Sequence, residues 1–325
     1  MALIKTMNKI IGRKLNEWLE SVTDKGLRNV IRENIVITGG CFPSMIQNET
    51  PKDYDCYFKT KEATKKVAEY YVEAWNESHK DKKKVFVLDG AEPSKELLEY
   101  YHIDAINQAK SRMIANTKPE RLKVIFPSDG VVGDPQEVRA DEELGDVLNN
   151  IAEIDETKAD EIIEQEKRKY FPVFLSTNAI TLSDGIQIVV RFYGEPDKIH
   201  ETYDFQHTKA YWTSNTGTII PNEVYDAVIN KTLIYTGSKY PVCSIFRMRK
   251  FIERGWKINA GQMLKICMQV SELDLTNIDT LEDQLVGVDS LYFMNLIEQF
   301  RRMKEKIADW DLTPQYIISV IDKIF

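Results

Sequence analysis

"ITGGCFPSMIQNETPKDYDCYF", residues 37–58, sets two glycines directly after an apolar run and, further on, two aspartates one residue apart inside a second apolar run. "NIVIT" (34–38) reads as a short buried strand, Gly39-Gly40 as a tight turn, "FPSMIQ" as the first turns of a helix, and "DYDCYF" (53–58) as a second strand. Side chains two apart on a strand share a face, so Asp53 and Asp55 project together while Tyr54, Cys56 and Phe58 point the other way. Two carboxylates held that close repel each other unless a divalent cation bridges them, and oxygen-only ligands suit Mg²⁺ or Mn²⁺. The glycine turn is complementary. Without Cβ atoms its backbone can approach a phosphate closely, the following helix start presents free N–H groups, and the Ser44 hydroxyl lies where it can join them.

Outward from this stretch the pattern is α/β and then helical. Residues 6–33 carry apolar positions at helical spacing and predict one amphipathic helix. After the second strand come a helix over 61–79, a strand at 84–89, a helix over 94–117 and a strand at 121–127. Residues 131–170 hold 13 acids against 5 bases and read as a solvent-exposed helical or partly mobile insertion. Strand character returns over 171–212, with "SDG" and "GEPD" as turns. From about 222 the chain is mainly helical, with Gly237, Gly255 and Gly287 near the breaks.

Composition excludes several classes. At 325 residues and 43% hydrophobic content the chain has ample material for a buried core. Its apolar runs are short and broken by polar residues, and the start "MALIKTMNKIIGRKLNEW" carries charges at amphipathic spacing, so neither a signal peptide nor a membrane span is expected and the cytoplasm is the expected location. Cys41, Cys56, Cys243 and Cys267 form no C-x-x-C pair and read as reduced thiols, not as a disulfide or zinc framework. No glycine-lysine pair occurs anywhere, which removes a Walker A loop and the kinases and ATPases built on one.

Strand, Gly-Gly, a short helix carrying a serine, then Asp-x-Asp in a hydrophobic strand resembles the DNA polymerase beta-like nucleotidyltransferase superfamily. The resemblance implies an α/β (α+β) nucleotidyltransferase-type mixed sheet with flanking helices, and a third carboxylate on a later strand beside the Asp-x-Asp strand. Asp204, in "ETYDFQHTKAYW" between Tyr203 and Phe205, is the candidate. The interval before it requires an inserted subdomain over about 61–170, inside a catalytic domain over 1–222 followed by a helical domain over 223–325. "NAITLSDGIQIVVRFYG" and "YTGSKYPVCSIFRMRKFIERGWKINAGQ" also look like segments of nucleotidyltransferase-like proteins encoded in bacteriophage genomes.

On this resemblance Asp53, Asp55 and Asp204 hold two Mg²⁺ (or Mn²⁺) ions, and Gly39, Gly40 and Ser44 cradle the phosphates of a nucleoside triphosphate such as ATP. Residues 231–265 hold eight bases against one acid, Glu253. Arg247, Lys250 and Arg254 fall on one helical face, with Phe246, Phe251 and Ile252 toward the core. Lys239, Arg247 and Lys250 are candidates to hold the triphosphate and Tyr240 to stack on a base, although the same residues suit a nucleic-acid backbone. His200, Asp204 and His207 do not share a strand face and make a poor metal set; His207 is either a hydrogen-bond partner near the site or a core histidine. The acceptor is an RNA end, a protein hydroxyl, another nucleotide or a small molecule. A catalytically inactive protein of this fold, acting as a phage binding or structural factor, stays open beside the enzyme.

Overall fold

Asp24 decides how the chain begins. Its carboxylate accepts hydrogen bonds from the Gly26 and Leu27 N–H groups at 2.6 and 3.1 Å, so it caps a new helix and ends the previous one. In the computed structural model, which describes residues 2–80, 82–100, 117–125, 169–285, 300, 303–304 and 312–321, the single helix expected over 6–33 is therefore two, α1 (Ala2–Ser21) and α2 (Lys25–Asn34). Met7, Ile11, Leu15, Trp18 and Leu19 form the buried face of α1.

The next elements follow the sequence closely: β1 (Ile35–Thr38), α3 (Cys41–Ile46), β2 (Tyr54–Phe58), α4 (Lys61–Ser78), β3 (Phe86–Asp89), α5 (Lys95–Tyr100) and β4 (Leu122–Ile125). Asp53 stands one residue before β2 rather than inside it. Of the helix expected over 94–117, α5 is the described part and residues 101–116 lie outside the described residues, as do most of the acidic run at 131–170 and Gly287. Then come β5 (Pro172–Leu175), β6 (Ala179–Leu182), β7 (Ile186–Val189), α6 (Pro196–His200), β8 (Tyr211–Thr213), β9 (Gly217–Ile219), α7 (Asn222–Ile229), α8 (Pro241–Glu253), α9 (Ala260–Ser271), α10 (Ile278–Leu285) and α11 (Pro314–Ile321). "SDG" forms a tight 3-10 turn between β6 and β7, whereas "GEPD" leads straight into α6 because Pro196 sits at its first helical position.

The fold is mixed α/β. Seven strands form one mixed sheet in the order β5-β6-β7-β2-β1-β8-β9, and β3 and β4 pair separately as an antiparallel ribbon. Among the paired strands of the described residues only β2 and β7 run parallel. Their pairing places Asp55 opposite Gln187, while β1 places Thr38 opposite Asp55 on the other side. Asp55 thus stands in the middle of the sheet, flanked by a polar residue on each neighbour.

One large core joins α1, α2, α3 and α4 to the sheet and reaches Val224, Val228 and Leu233, Trp256, and Ile266 of α9. A second cluster gathers Ile278, Leu281, Leu285, Phe300 and Leu312, with Val242 and Phe246 of α8 against it. Helix α8 lies between the two. Cys41, Cys56 and Cys243 are buried free thiols, and Cys267 is exposed. Among the described residues no helix is long and apolar enough to cross a membrane.

Loss of the cap at the α1–α2 break gives a direct test of this entry into the fold. Asp24→Ala is expected to lower unfolding free energy by about 1 kcal/mol, read as a lower urea midpoint with an unchanged slope.

Candidate functional site

Gly39 adopts φ +92°, a conformation that side chains disfavour, and a Cβ built there would collide with the Asp55 carboxylate. Its N–H donates to the Thr208 carbonyl at 3.3 Å, which fixes the turn against the segment after α6. Only glycine lets β1 end beneath a carboxylate in this way. Gly40 differs: it is helical in backbone and a Cβ there would meet nothing.

Asp55 is half-buried, and neither an ion pair nor a hydrogen bond reaches its carboxylate among the described residues. Burial first, and then the neighbouring Asp53 charge, push its pKa up to about 8, with Arg247 partly opposing them. Asp53 is exposed at the entrance to β2. The support beneath is polar but neutral. Thr38 Oγ1 donates to the Ala210 carbonyl at 2.7 Å, so His200 Nε2, 2.9 Å away, is the donor to Thr38. Burial lowers the His200 pKa to about 4, which keeps the ring uncharged. Tyr203 Oη donates to Tyr57 Oη at 3.1 Å, and both rings line the same wall as Asp55.

These groups border a cavity of about 290 Å³. Gly39, Gly40, Asp55, Asp204, Tyr240 and Arg247 all lie on its wall, so the structure brings six of the sequence-predicted residues together. Asp204 arrives differently from the expectation. It lies in an irregular segment between α6 and a 3-10 turn, not on a strand beside β2. It is buried, and Arg247 Nη1 donates to its Oδ2 at 2.7 Å. Among the described residues no group of three His, Cys, Asp or Glu side chains is placed to hold a metal ion. The Asp53–Asp55 pair fits a divalent cation, because two crowded carboxylates, one exposed and one half-buried without a partner among the described residues, are what such an ion relieves. Asp204, held by Arg247, does not join them.

The remaining predicted residues stand outside the cavity wall. Ser44 Oγ donates to the Gly40 carbonyl at 3.3 Å. Lys239 is exposed, and its carbonyl accepts from Gln284 Nε2 at 3.0 Å. Lys250 is exposed on α8, where partial burial of its stem lowers its pKa and the Asp53 charge only partly opposes this. Phe246 and Phe251 pack inward as expected, but Ile252 is exposed, since the core contacts α8 on a narrower face than the pattern suggests. His207 is a core histidine with a defect: it packs edge-on to Phe251 and tilted against Trp256, with centroids 4.5 and 4.2 Å away, and neither ring nitrogen has a partner among the described residues. Burial holds its pKa down to about 3.

Arg191 is the residue that sequence reasoning missed. It is buried, lies on the cavity wall, and donates through Nη2 to Tyr240 Oη at 2.7 Å and to Asp283 Oδ1 at 3.1 Å. Its guanidinium carbon sits 4.8 Å from the Tyr240 ring centroid, so the ring assigned to a base already stacks on a cation. Gln187, Val189 and Arg191 alternate along β7 and its exit, and all three line the cavity. That period of two, "Q-x-V-x-R", was the signal available.

A family model described as "Gabija anti-defense 2 family protein" matches residues 9–231. The chain belongs to that family. A curated relative of the same name, Gabija anti-defense 2 of Bacillus phage SPbetaL7, is 21% identical over 144 residues, which cover 42% of this chain and 36% of the relative. The match therefore spans little more than a third of that relative's length. Among solved structures, the Thermotoga maritima CCA-adding enzyme complexed with tRNA is similar over 92% of this chain and 57% of its own, at 12% identity and a TM-score of 0.32. The family match ends before α8, so Tyr240 and Arg247 lie beyond it.

The raised Asp55 pKa fixes a sign. A carboxyl whose folded pKa lies above its unfolded value makes the folded state bind the extra proton, so stability falls as pH rises between the two values. In chelator, wild-type protein is expected to lose more thermal stability than Asp55→Asn between about pH 5 and about pH 8. His200 and His207 contribute with the opposite sign to both proteins and cancel in the difference. Melting curves at the two pH values check this; equal losses overturn it.

Proposed function

We propose that this member of the Gabija anti-defense 2 family is a metal-dependent nucleotidyltransferase, moving a nucleoside monophosphate from a nucleoside triphosphate to an acceptor hydroxyl in service of the anti-defence role that the family name records. The observation that carries this reading is the partnerless, half-buried Asp55 carboxylate on the cavity wall, crowded by Asp53 and lying directly over the Gly39 turn. Carboxylates that need a cation stand beside backbone that a phosphate can approach.

Asp53 and Asp55 hold Mg²⁺ or Mn²⁺, which when bound offsets charge on the phosphates and acidifies the acceptor hydroxyl. The Gly39-Gly40 turn admits the triphosphate, with Ser44 behind it. Arg247, kept over the cavity by Asp204, offsets charge on the departing pyrophosphate. The acceptor oxygen bonds to the α-phosphorus as the bond to the β-phosphate breaks, and its proton is lost to solvent. Tyr240 and Phe192 flank the space for the base. Lys239 and Lys250, outside the wall, suit the acceptor or the approach of the anion better than a clamp. Residues 1–222, with 61–170 inserted, form the catalytic unit, 223–325 form the helical unit that supplies Arg247 and Tyr240, and the reaction runs in the host cytoplasm. The acceptor class, RNA, protein, nucleotide or small molecule, is set by the experiment below.

One observation favours a second reading. Asp204 is neutralised by Arg247, so a third carboxylate is not assembled, which suits a protein that binds nucleotide without turnover.

Incubation with each α-labelled triphosphate, Mg²⁺ and host-cell extract separates the two. Label is expected in a product with wild-type protein and is expected to fall by about a hundredfold or more with Asp53→Ala or Asp55→Ala. Full transfer by either variant overturns the metal assignment. Triphosphate binding without a labelled product establishes the second reading instead.

A further inference from the structure

Gln187 is the polar residue that the fold places against Asp55. The two strands are parallel neighbours, and Asp55 and Gln187 are directly paired, so their side chains leave the sheet on the same face. Both line the cavity. On the opposite face, Ile186 and Ile188 of β7 are fully buried beside Tyr54 and Cys56 of β2. An apolar residue at 187 would serve the sheet as well as those isoleucines do, yet the position holds an amide. That amide makes no hydrogen bond among the described residues.

Two partnerless oxygen-bearing side chains therefore face one space from adjacent positions. Aspartate and glutamine are both hard oxygen donors of the kind Mg²⁺ and Mn²⁺ accept. The other carboxylate on the wall, Asp204, has its Oδ2 engaged by Arg247 and forms no three-residue metal group with Asp53 and Asp55 among the described residues.

We infer that Gln187 supplies, through Oε1, the third protein oxygen to the divalent cation held by Asp53 and Asp55. This rests on the metal-dependent reading above. A neutral amide in place of a third anion leaves two negative charges among the protein ligands, so the ion is bound more weakly than three carboxylates would bind it.

Titration of the full-length protein with Mn²⁺, following free Mn²⁺ by electron paramagnetic resonance, tests the assignment without turnover. Gln187→Glu adds a charged oxygen at the same place and is expected to tighten binding by about tenfold. Gln187→Leu is expected to weaken it several-fold, and Asp55→Asn to abolish it. Melting in chelator confirms that each variant folds; if the glutamate variant does not, Gln187→Asn, whose shorter side chain withdraws the oxygen while keeping the amide, takes its place and is expected to bind more weakly. Unchanged Mn²⁺ affinity at position 187, with binding still lost in Asp55→Asn, overturns the role of Gln187 and leaves the metal reading standing. No Mn²⁺ binding by the wild-type protein removes the metal reading itself, and this inference with it.

Discussion

The Asp55 carboxylate is held where it is costly to ionise. A central strand carries it, the Gly39 turn leaves room for it by lacking a Cβ, and Asp53 sits beside it. Several neighbouring groups bear on that charge. Thr38 and His200 support it with groups that stay neutral, the Tyr57–Tyr203 hydroxyl pair adds dipoles, and Arg247 brings positive charge from a helix late in the chain. A site intended only for stability would place a leucine there.

The arrangement is assembled from distant stretches. Gly39 and Asp55 come from the opening strands, Gln187 and Arg191 from β7 and its exit, Asp204 from the segment after α6, and Tyr240 and Arg247 from the start and middle of α8. Asp283 on α10 accepts from both Arg191 and Arg121, at 3.1 Å each, so one carboxylate ties the helical segment to the cavity wall and to the residue preceding β4. Cavity shape and helix position are thereby linked through a single buried guanidinium.

Local features were legible in the sequence. The alternation in "DYDCYF" and the glycine pair before "FPSMIQ" placed β1, α3 and β2 to within a residue, because short-range periodicity and turn chemistry set them. The break at Asp24 was missed because apolar spacing continues across it, and capping by one side chain outweighed the pattern. Asp204 was found by its aromatic neighbours, yet its strand was misjudged: the chain there turns through α6 and a 3-10 segment, and flanking Tyr203 and Phe205 bury it without a ladder. Gln187 and Arg191 carried a period-two signal, but which strand β7 adopts as neighbour is a long-range fact that no window contains. Lys250 shares helical spacing with Arg247, yet it is exposed and off the cavity wall, and Lys239 precedes α8, so spacing within a basic stretch does not say which of its cations reach the cavity.

The parallel pairing of β2 with β7 also shapes how the molecule reaches its native state. The sheet cannot be completed through its middle until residue 189 is available, with all of 59–185 spanning the gap. Such non-local pairing is slow to nucleate, so β1 and β2, joined antiparallel across a short connection, are placed to form early and wait. Closing a longer loop adds only about 0.6 kcal/mol for each doubling of its length. Loops within that interval, outside α4 and the paired strands β5 and β6 that pack into the core and the sheet, are therefore free to lengthen or shorten over evolutionary time at little thermodynamic expense, while β2 and β7 keep their register.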